Sequence, residues 1–356
     1  MKQSKSKASF LLIMLVFICP VKFIDLLMAQ DFQPDTGVSI KSLFQSDELL
    51  KLTLTKDMKS VFGNREAEES HPAEISYLDA QENRIILPLK VRVRGNFRKD
   101  SSNCDFPPLR LNFADTIVEN TIFDGQDKIK LVTHCRSGHN LYEQNVLKEY
   151  LVYRLYNLFA EESYLVRLIQ LTYADATGNH DTLVRMGFLI EPTSQMVKRN
   201  GCEILVVNKI QQSQTNRHKT TVLAVFQYMI GNTDWSVWVQ HNTILLKEGS
   251  SAVPIVVPYD FDWSGLVNAP YAIPAGSLRN VKSRIYRNFC VTDAELQLAL
   301  DEFRQNREKI YQTCMNVPFL SKKEIRKTLK YLDDFFDIIE NPKKVESEMH
   351  QKCRPL

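Results

Sequence analysis

The chain has 356 residues, 44% hydrophobic, 24% charged and 10% aromatic, a composition suited to a folded core in one large domain or two lobes. The formal charge of +3 belongs to residues 1–29, where Lys2, Lys5, Lys7 and Lys22 stand against Asp25, so the remainder is neutral. That balance argues against a nucleic-acid partner, which would call for a basic excess, and against an acidic disordered chain.

The N-terminus reads as a targeting signal. MKQSKSK is a basic n-region, SFLLIMLVFICPV an apolar h-region interrupted by Pro20, and Leu27-Met28-Ala29 before Gln30 a cleavage site with a large Leu27. The apolar run is shorter than the ~20 residues that span a bilayer. The expectation is an exported protein, periplasmic or at the cell surface or secreted, with no transmembrane span after signal removal. A retained anchor is the alternative. Six cysteines then remain, Cys104, Cys135, Cys202, Cys290, Cys314 and Cys353, and an exported chain permits disulfides among them. Cys104 with Cys135 is the expected pair, because both flank strands that should be neighbours.

Residues 30–75 hold the alternation LKLTLT, which suits an exposed strand, and a polar loop, NREAEESHPAE. Strands follow in RIILPLKVRVRGNFR, turning at Gly95-Asn96, in PPLRLNF and in KIKLVTHC, with Lys128 and Lys130 facing out. Asn140 to Phe159 places apolar residues at helical spacing. LVRLIQLTYADATG and DTLVRMGFLIEP are two more strands. NKIQQSQTNRHKT is a polar loop, and TVLAVFQYMIGN a buried helix stopping at Gly231. HNTILL and VPIVVPYDFD are apolar strands, and LVNAPYAIPAG a loop. Asp293–Asn316 and Lys322–Ile339 are helices, each after a Thr or Ser cap. No GxGxxG occurs, which argues against a dinucleotide site.

The stretch Gly231–Gly265 carries the chemistry. Asp234, Asn242, Asp260 and Asp262 stand in apolar surroundings with Trp235, Trp238 and Trp263. A carboxylate, an amide and a second carboxylate at a strand end can hold Mg²⁺ or Mn²⁺ against a nucleotide triphosphate, because hard cations take oxygen ligands. Each residue also has an ordinary role, in turns for Asp and Asn and in packing for the tryptophans. His241 is read as a hydrogen-bonded packing residue and left outside the site.

The layout is that of a protein-kinase-like fold, and the sequence resembles the spore-coat protein H (CotH-like) atypical kinases over roughly residues 85–270. The pieces are VRVRGNFR, PPLRLNF, KLVTHC, YEQNVLKEYLVYRLY, MGFLIE and GNTDW…HN…PYDFD. The expectation is an α+β, two-lobed kinase-like fold with an antiparallel-sheet N-lobe and a mainly helical C-lobe. Its divisions are signal peptide 1–29, N-terminal extension 30–75, N-lobe with one packed helix 76–191 and C-lobe 192–356. The resemblance implies an ATP-dependent transferase acting on Ser/Thr hydroxyls of envelope or secreted proteins. It makes Asp234 the catalytic carboxylate and Asn242, Asp260 and Asp262 the metal ligands. By chain order Lys130 meets the phosphates with Glu149 as partner, Arg110 and Glu143 being alternatives, and the Arg94-Gly95-Asn96 turn approaches through backbone N–H groups. The sequence departs from protein kinases in having no glycine-rich loop and DFD in place of DFG. A non-catalytic scaffold of the envelope and a metal-dependent hydrolase are the rival readings.

Overall fold

The computed structural model describes residues 43–63, 65, 69–114, 116–249, 252–276 and 278–355. The signal peptide assigned to 1–29 lies outside the described residues. Those that are described fall in one compact unit.

Seven strands close into a barrel. They are β1 (Leu50–Lys56), β2 (His71–Leu78), β3 (Arg84–Val93), β4 (Leu109–Asn112), β5 (Lys128–Val132), β6 (Val166–Asp175) and β7 (Leu183–Ile190), in the order β1-β2-β3-β4-β5-β7-β6. Every neighbouring pair is antiparallel except β1 with β6, which run parallel from Leu50↔Ile169 to Lys56↔Asp175. This overturns the expected two-lobed fold with an antiparallel N-lobe sheet. β1, from the stretch assigned to an N-terminal extension, is the closing strand. It pairs β2 on one edge and β6 on the other, which leaves no edge unpaired. Nor is it exposed, since Leu52 and Leu54 point into the barrel.

Alternation along each strand sorts residues between two cores. Leu87, Leu89 and Val91 of β3, Leu109 and Leu111 of β4, Ile129 and Leu131 of β5, and Ile169, Leu171 and Tyr173 of β6 fill the barrel. Val132, Val166, Leu168, Phe188 and Ile190 face outward and join a second core with the helices. That continuous apolar layer is the physical reason no separate lobes form: one face of the barrel is covered by the helical part.

The helices, in chain order, begin with α1 (Met58–Gly63), α2 (Asn140–Tyr156), α3 (Thr193–Arg199) and α4 (Arg217–Ile230). Then come α5 (Asp293–Gln305), α6 (Arg307–Met315) and α7 (Lys322–Ile339). α2 is enclosed on nearly every side from Gln144 to Tyr153, so it carries Lys148 and Glu149 into the interior. α4 starts under the Asn216 side chain, which accepts the Lys219 N–H, and stops at Gly231 in the left-handed region (φ 64°). A Cβ at Gly231 would collide with the Tyr331 hydroxyl. The helix expected over 293–316 breaks at Asn306 into α5 and α6, with Thr292 and Glu295 forming a capping box at its start. A small sheet of β8 (Glu203–Ile204), β9 (Thr243–Lys247) and β10 (Ile255–Pro258) has the order β10-β9-β8. Cys104 is bonded to Cys135, the pair the sequence favours, and Cys290 to Cys353, while Cys202 and Cys314 are free and buried. Among the described residues no helix is long and apolar enough to cross a membrane.

Candidate functional site

The β9–β10 hairpin brings distant residues together. Asn242 precedes β9 and Asp260 follows β10, and the Tyr259 N–H donates to the Asn242 carbonyl at 3.0 Å. Asp234 arrives from the other side, on the loop after α4. The Asn232 side chain accepts the Asp234 N–H at 2.9 Å, and paired backbone bonds between Ser236 and His241 close the loop. The Asn242 amide donates to the Asp234 carbonyl at 2.8 Å and to its Oδ2 at 3.0 Å. His241 Nε2 lies 2.8 Å from Asp234 Oδ1. His241 is therefore no packing residue: its side chain is 53% exposed and engages the proposed catalytic carboxylate.

Asp260 is exposed and left-handed (φ 63°), and its N–H donates to the Tyr153 hydroxyl at 3.0 Å. Asp262 is buried and accepts the Tyr271 hydroxyl at 3.0 Å. Burial, then the Asp260 charge, lifts the Asp262 carboxyl to about 7, with Asp234 adding to the repulsion and Arg98 opposing it. Glu149, buried on α2, is pushed well above the carboxylate range by burial and by Asp262 and Asp260, with Arg98 and Arg94 pulling it back.

Three cations meet these carboxylates. Lys130 on β5 is half-buried, and burial and Arg94 push it down to about 8 against the pull of Asp260. Its ammonium lies 5.3 Å over the Tyr259 ring. Arg94 follows β3 and is half-buried, with an enclosed Nε that has no partner. Burial lowers its pKa while Asp260 and Glu149 support its charge. Arg98 is buried and donates to the Thr133 carbonyl. Burial opposes its charge, but Tyr271, Asp262, Glu149 and Asp260 together hold its pKa above the ordinary value.

The structure thus gathers Asp234, Asn242, Asp260, Asp262, Glu149, Lys130 and Arg94 at one corner between barrel and helices. Lys130 and Glu149 make no ion pair with each other. Glu149 interacts with Arg94 and Arg98, and Lys130 with Asp260. Arg110 stands opposite Lys130 in the β4–β5 register. Glu143 is elsewhere engaged, accepting the Met186 N–H at 2.6 Å. Gly95 (φ 87°) and Asn96 are exposed beside Arg94. They open the long 94–108 connection rather than a tight hairpin, because β4 begins only at Leu109. Trp235 is buried, and Trp263 packs edge-on against Phe97.

The sequence reading missed Arg98, Tyr153, Tyr271 and His241. Arg98 sits four residues after Arg94 in VRVRGNFR and Tyr271 in the proline-rich loop, so each was in view without a partner to mark it.

No family model and no curated protein matches this chain. The resemblance to the CotH-like kinases rests on the motifs themselves.

Among the described residues no group of three His, Cys, Asp or Glu side chains is placed to hold a metal ion. The donor set nonetheless suits Mg²⁺ with a nucleotide. That ion is commonly held by one or two carboxylates plus substrate phosphates. Burial first, and then repulsion from Asp260, raises the Asp262 carboxyl, and a cation between the two carboxylates would relieve the second of these.

Proposed function

We propose that the chain is an exported kinase transferring phosphate from ATP to Ser/Thr hydroxyls of envelope or secreted proteins, with Mg²⁺ or Mn²⁺ held by Asp260, Asp262 and Asn242. The observation that supports it is the convergence of four oxygen-bearing side chains with Arg94, Arg98 and Lys130 at one corner. The barrel-based fold is compatible, because chemistry is fixed by the site rather than the scaffold. In this reading Asp234 takes the acceptor hydroxyl proton as that oxygen bonds to the γ-phosphorus, and the bond to the β-phosphate oxygen breaks to release ADP. Arg94, Arg98 and Lys130 neutralise phosphate charge. Asp260, Asp262 and Asn242 would hold the divalent ion, whose charge would help neutralise the phosphates. Export is supported by the basic-then-apolar N-terminus and by the disulfides Cys104–Cys135 and Cys290–Cys353.

One observation favours the non-catalytic reading: Lys130 and Glu149 are unpaired with each other. Thermal-shift titration with ATP and Mg²⁺ or Mn²⁺ decides between the two when combined with labelled phosphate transfer to exported proteins. A metal-dependent rise in melting temperature that Asp260→Ala abolishes, with transfer that Asp234→Asn abolishes, is expected. Absence of both effects overturns the kinase reading, and binding without transfer selects the scaffold.

A further inference from the structure

Directly after Asp234 the chain walls a pocket of about 260 Å³. Trp235, Ser236, Val237, Trp238, Arg287 and Arg354 are in its wall, and among the described residues no carboxylate side chain lines it. The Arg287 guanidinium donates to the Thr233 carbonyl and, at 3.2 Å, to the Trp235 carbonyl, which fixes it under the loop that carries Asp234. Burial and the Arg354 charge both lower its pKa, with Asp234 opposing. Arg354 is exposed, and its side chain makes no hydrogen bond or ion pair among the described residues. Its backbone is held on both sides. The Arg354 N–H donates to the Asn288 carbonyl, and its own carbonyl accepts the Cys290 N–H, each at 2.8 Å, beside the Cys290–Cys353 disulfide.

Two like charges are thereby held at one cavity, and among the described residues its wall holds no acidic side chain, Asp234 acting on Arg287 from outside it. Trp238 leaves 46% of its surface open at the rim, with the Lys209 ammonium 5.4 Å over its ring. A bound carboxylate would neutralise the guanidiniums with charge-assisted hydrogen bonds.

We propose that this pocket is the acceptor subsite for an acidic polypeptide, with a substrate carboxylate between Arg287 and Arg354 and an apolar neighbour on Trp238. The assignment rests on the kinase reading of Asp234. The pocket wall begins one residue after Asp234, and Arg287 is held under the loop that carries it, so the acidic residue would lie near the phosphorylated hydroxyl. Free carboxylic acids and inorganic phosphate share the same chemistry and serve as competitors in the test.

The experiment is fluorescence polarisation on the full protein without nucleotide. The probes are labelled serine peptides flanked by glutamates, and their glutamine counterparts. The glutamate peptides should bind at least about tenfold tighter, and Arg354→Glu should erase that preference while leaving the Mg–ATP thermal shift unchanged. Equal affinity for both peptides, or a preference that survives Arg354→Glu, overturns the proposal. So does displacement by free glutamate or phosphate at concentrations equal to the peptide, which would make this a small-anion site. The nucleotide arm keeps the two ideas apart. Acidic-peptide binding without any Mg–ATP shift removes the kinase reading and with it the acceptor role, leaving only an acidic-peptide pocket, whereas a clear Mg–ATP shift without peptide preference removes the pocket's assignment alone.

Discussion

His241 Nε2 sits 2.8 Å from Asp234 Oδ1, across a loop that paired backbone bonds hold closed. Asn242 bonds the other carboxylate oxygen. The carboxylate is thus oriented by two side chains before any substrate arrives. His241→Ala should lower phosphate transfer by about 10–100-fold, the scale of a misplaced catalytic group, and leave nucleotide affinity near wild type. Transfer rates and nucleotide titrations on one preparation check this. An unchanged rate would reduce the contact to a surface ion pair.

Asp262, lifted to about 7 by burial and by Asp260, makes stability depend on pH, and in the kinase reading the affinity for a divalent ion would vary in the opposite sense. A carboxyl whose folded pKa is raised contributes stability that is full below its unfolded pKa and is lost as pH rises through about 7. The metal-free protein should therefore lose this contribution between about pH 4 and 7. A divalent ion needs the ionised form, so it should bind more tightly and release a proton as pH rises through this range. His134, pushed down to about 3 by burial, acts the other way, adding stability as pH rises towards its unfolded value. The difference in melting temperature between wild type and Asp262→Asn across pH 5–8 isolates Asp262. A flat difference would contradict the assigned repulsion.

Lys56 is 1% exposed, its Nζ has no hydrogen-bond partner, and it lies 3.7 Å over the Phe62 ring. Burial pushes it down to about 7, with Asp57 and Asp175 only partly supporting its charge. A lowered amine pKa means that the unfolded chain binds the proton better, so this lysine weakens the fold most below its folded pKa. Lys56→Met should stabilise by about 1–3 kcal/mol at neutral pH, the cost of an unsatisfied buried polar group, and by less at pH 10. Chemical denaturation at both pH values measures it.

The Cys104–Cys135 bond ties the connection carrying Arg94 and Arg98 to the strand end where Arg98 meets Thr133. Removing both cysteines opens a crosslink of sequence separation 31. The expected loss is roughly 2–4 kcal/mol of stability. If Arg98 serves phosphate, nucleotide affinity should fall as well, while Cys290→Ala/Cys353→Ala should spare it. Parallel thermal-shift titrations of the two double variants separate the effects.

Local chemistry wrote much of this protein into its sequence. Two-residue alternation marked β3, β4 and β5, and helical spacing marked α2. The left-handed stop at Gly231 ended α4 where the glycine stands. The order Asp234, Asn242, Asp260, Asp262 was likewise visible, because a carboxylate among apolar residues is conspicuous in a linear chain. What only the tertiary structure decided was partnership. Alternation states which side of a strand is buried but not what lies along its edge, so the parallel β1–β6 seam that closes the barrel had no signature. The same blindness hid Arg98, Tyr271 and His241. Their roles come from the groups across from them, and chain order carries no distance between residues that only folding brings together.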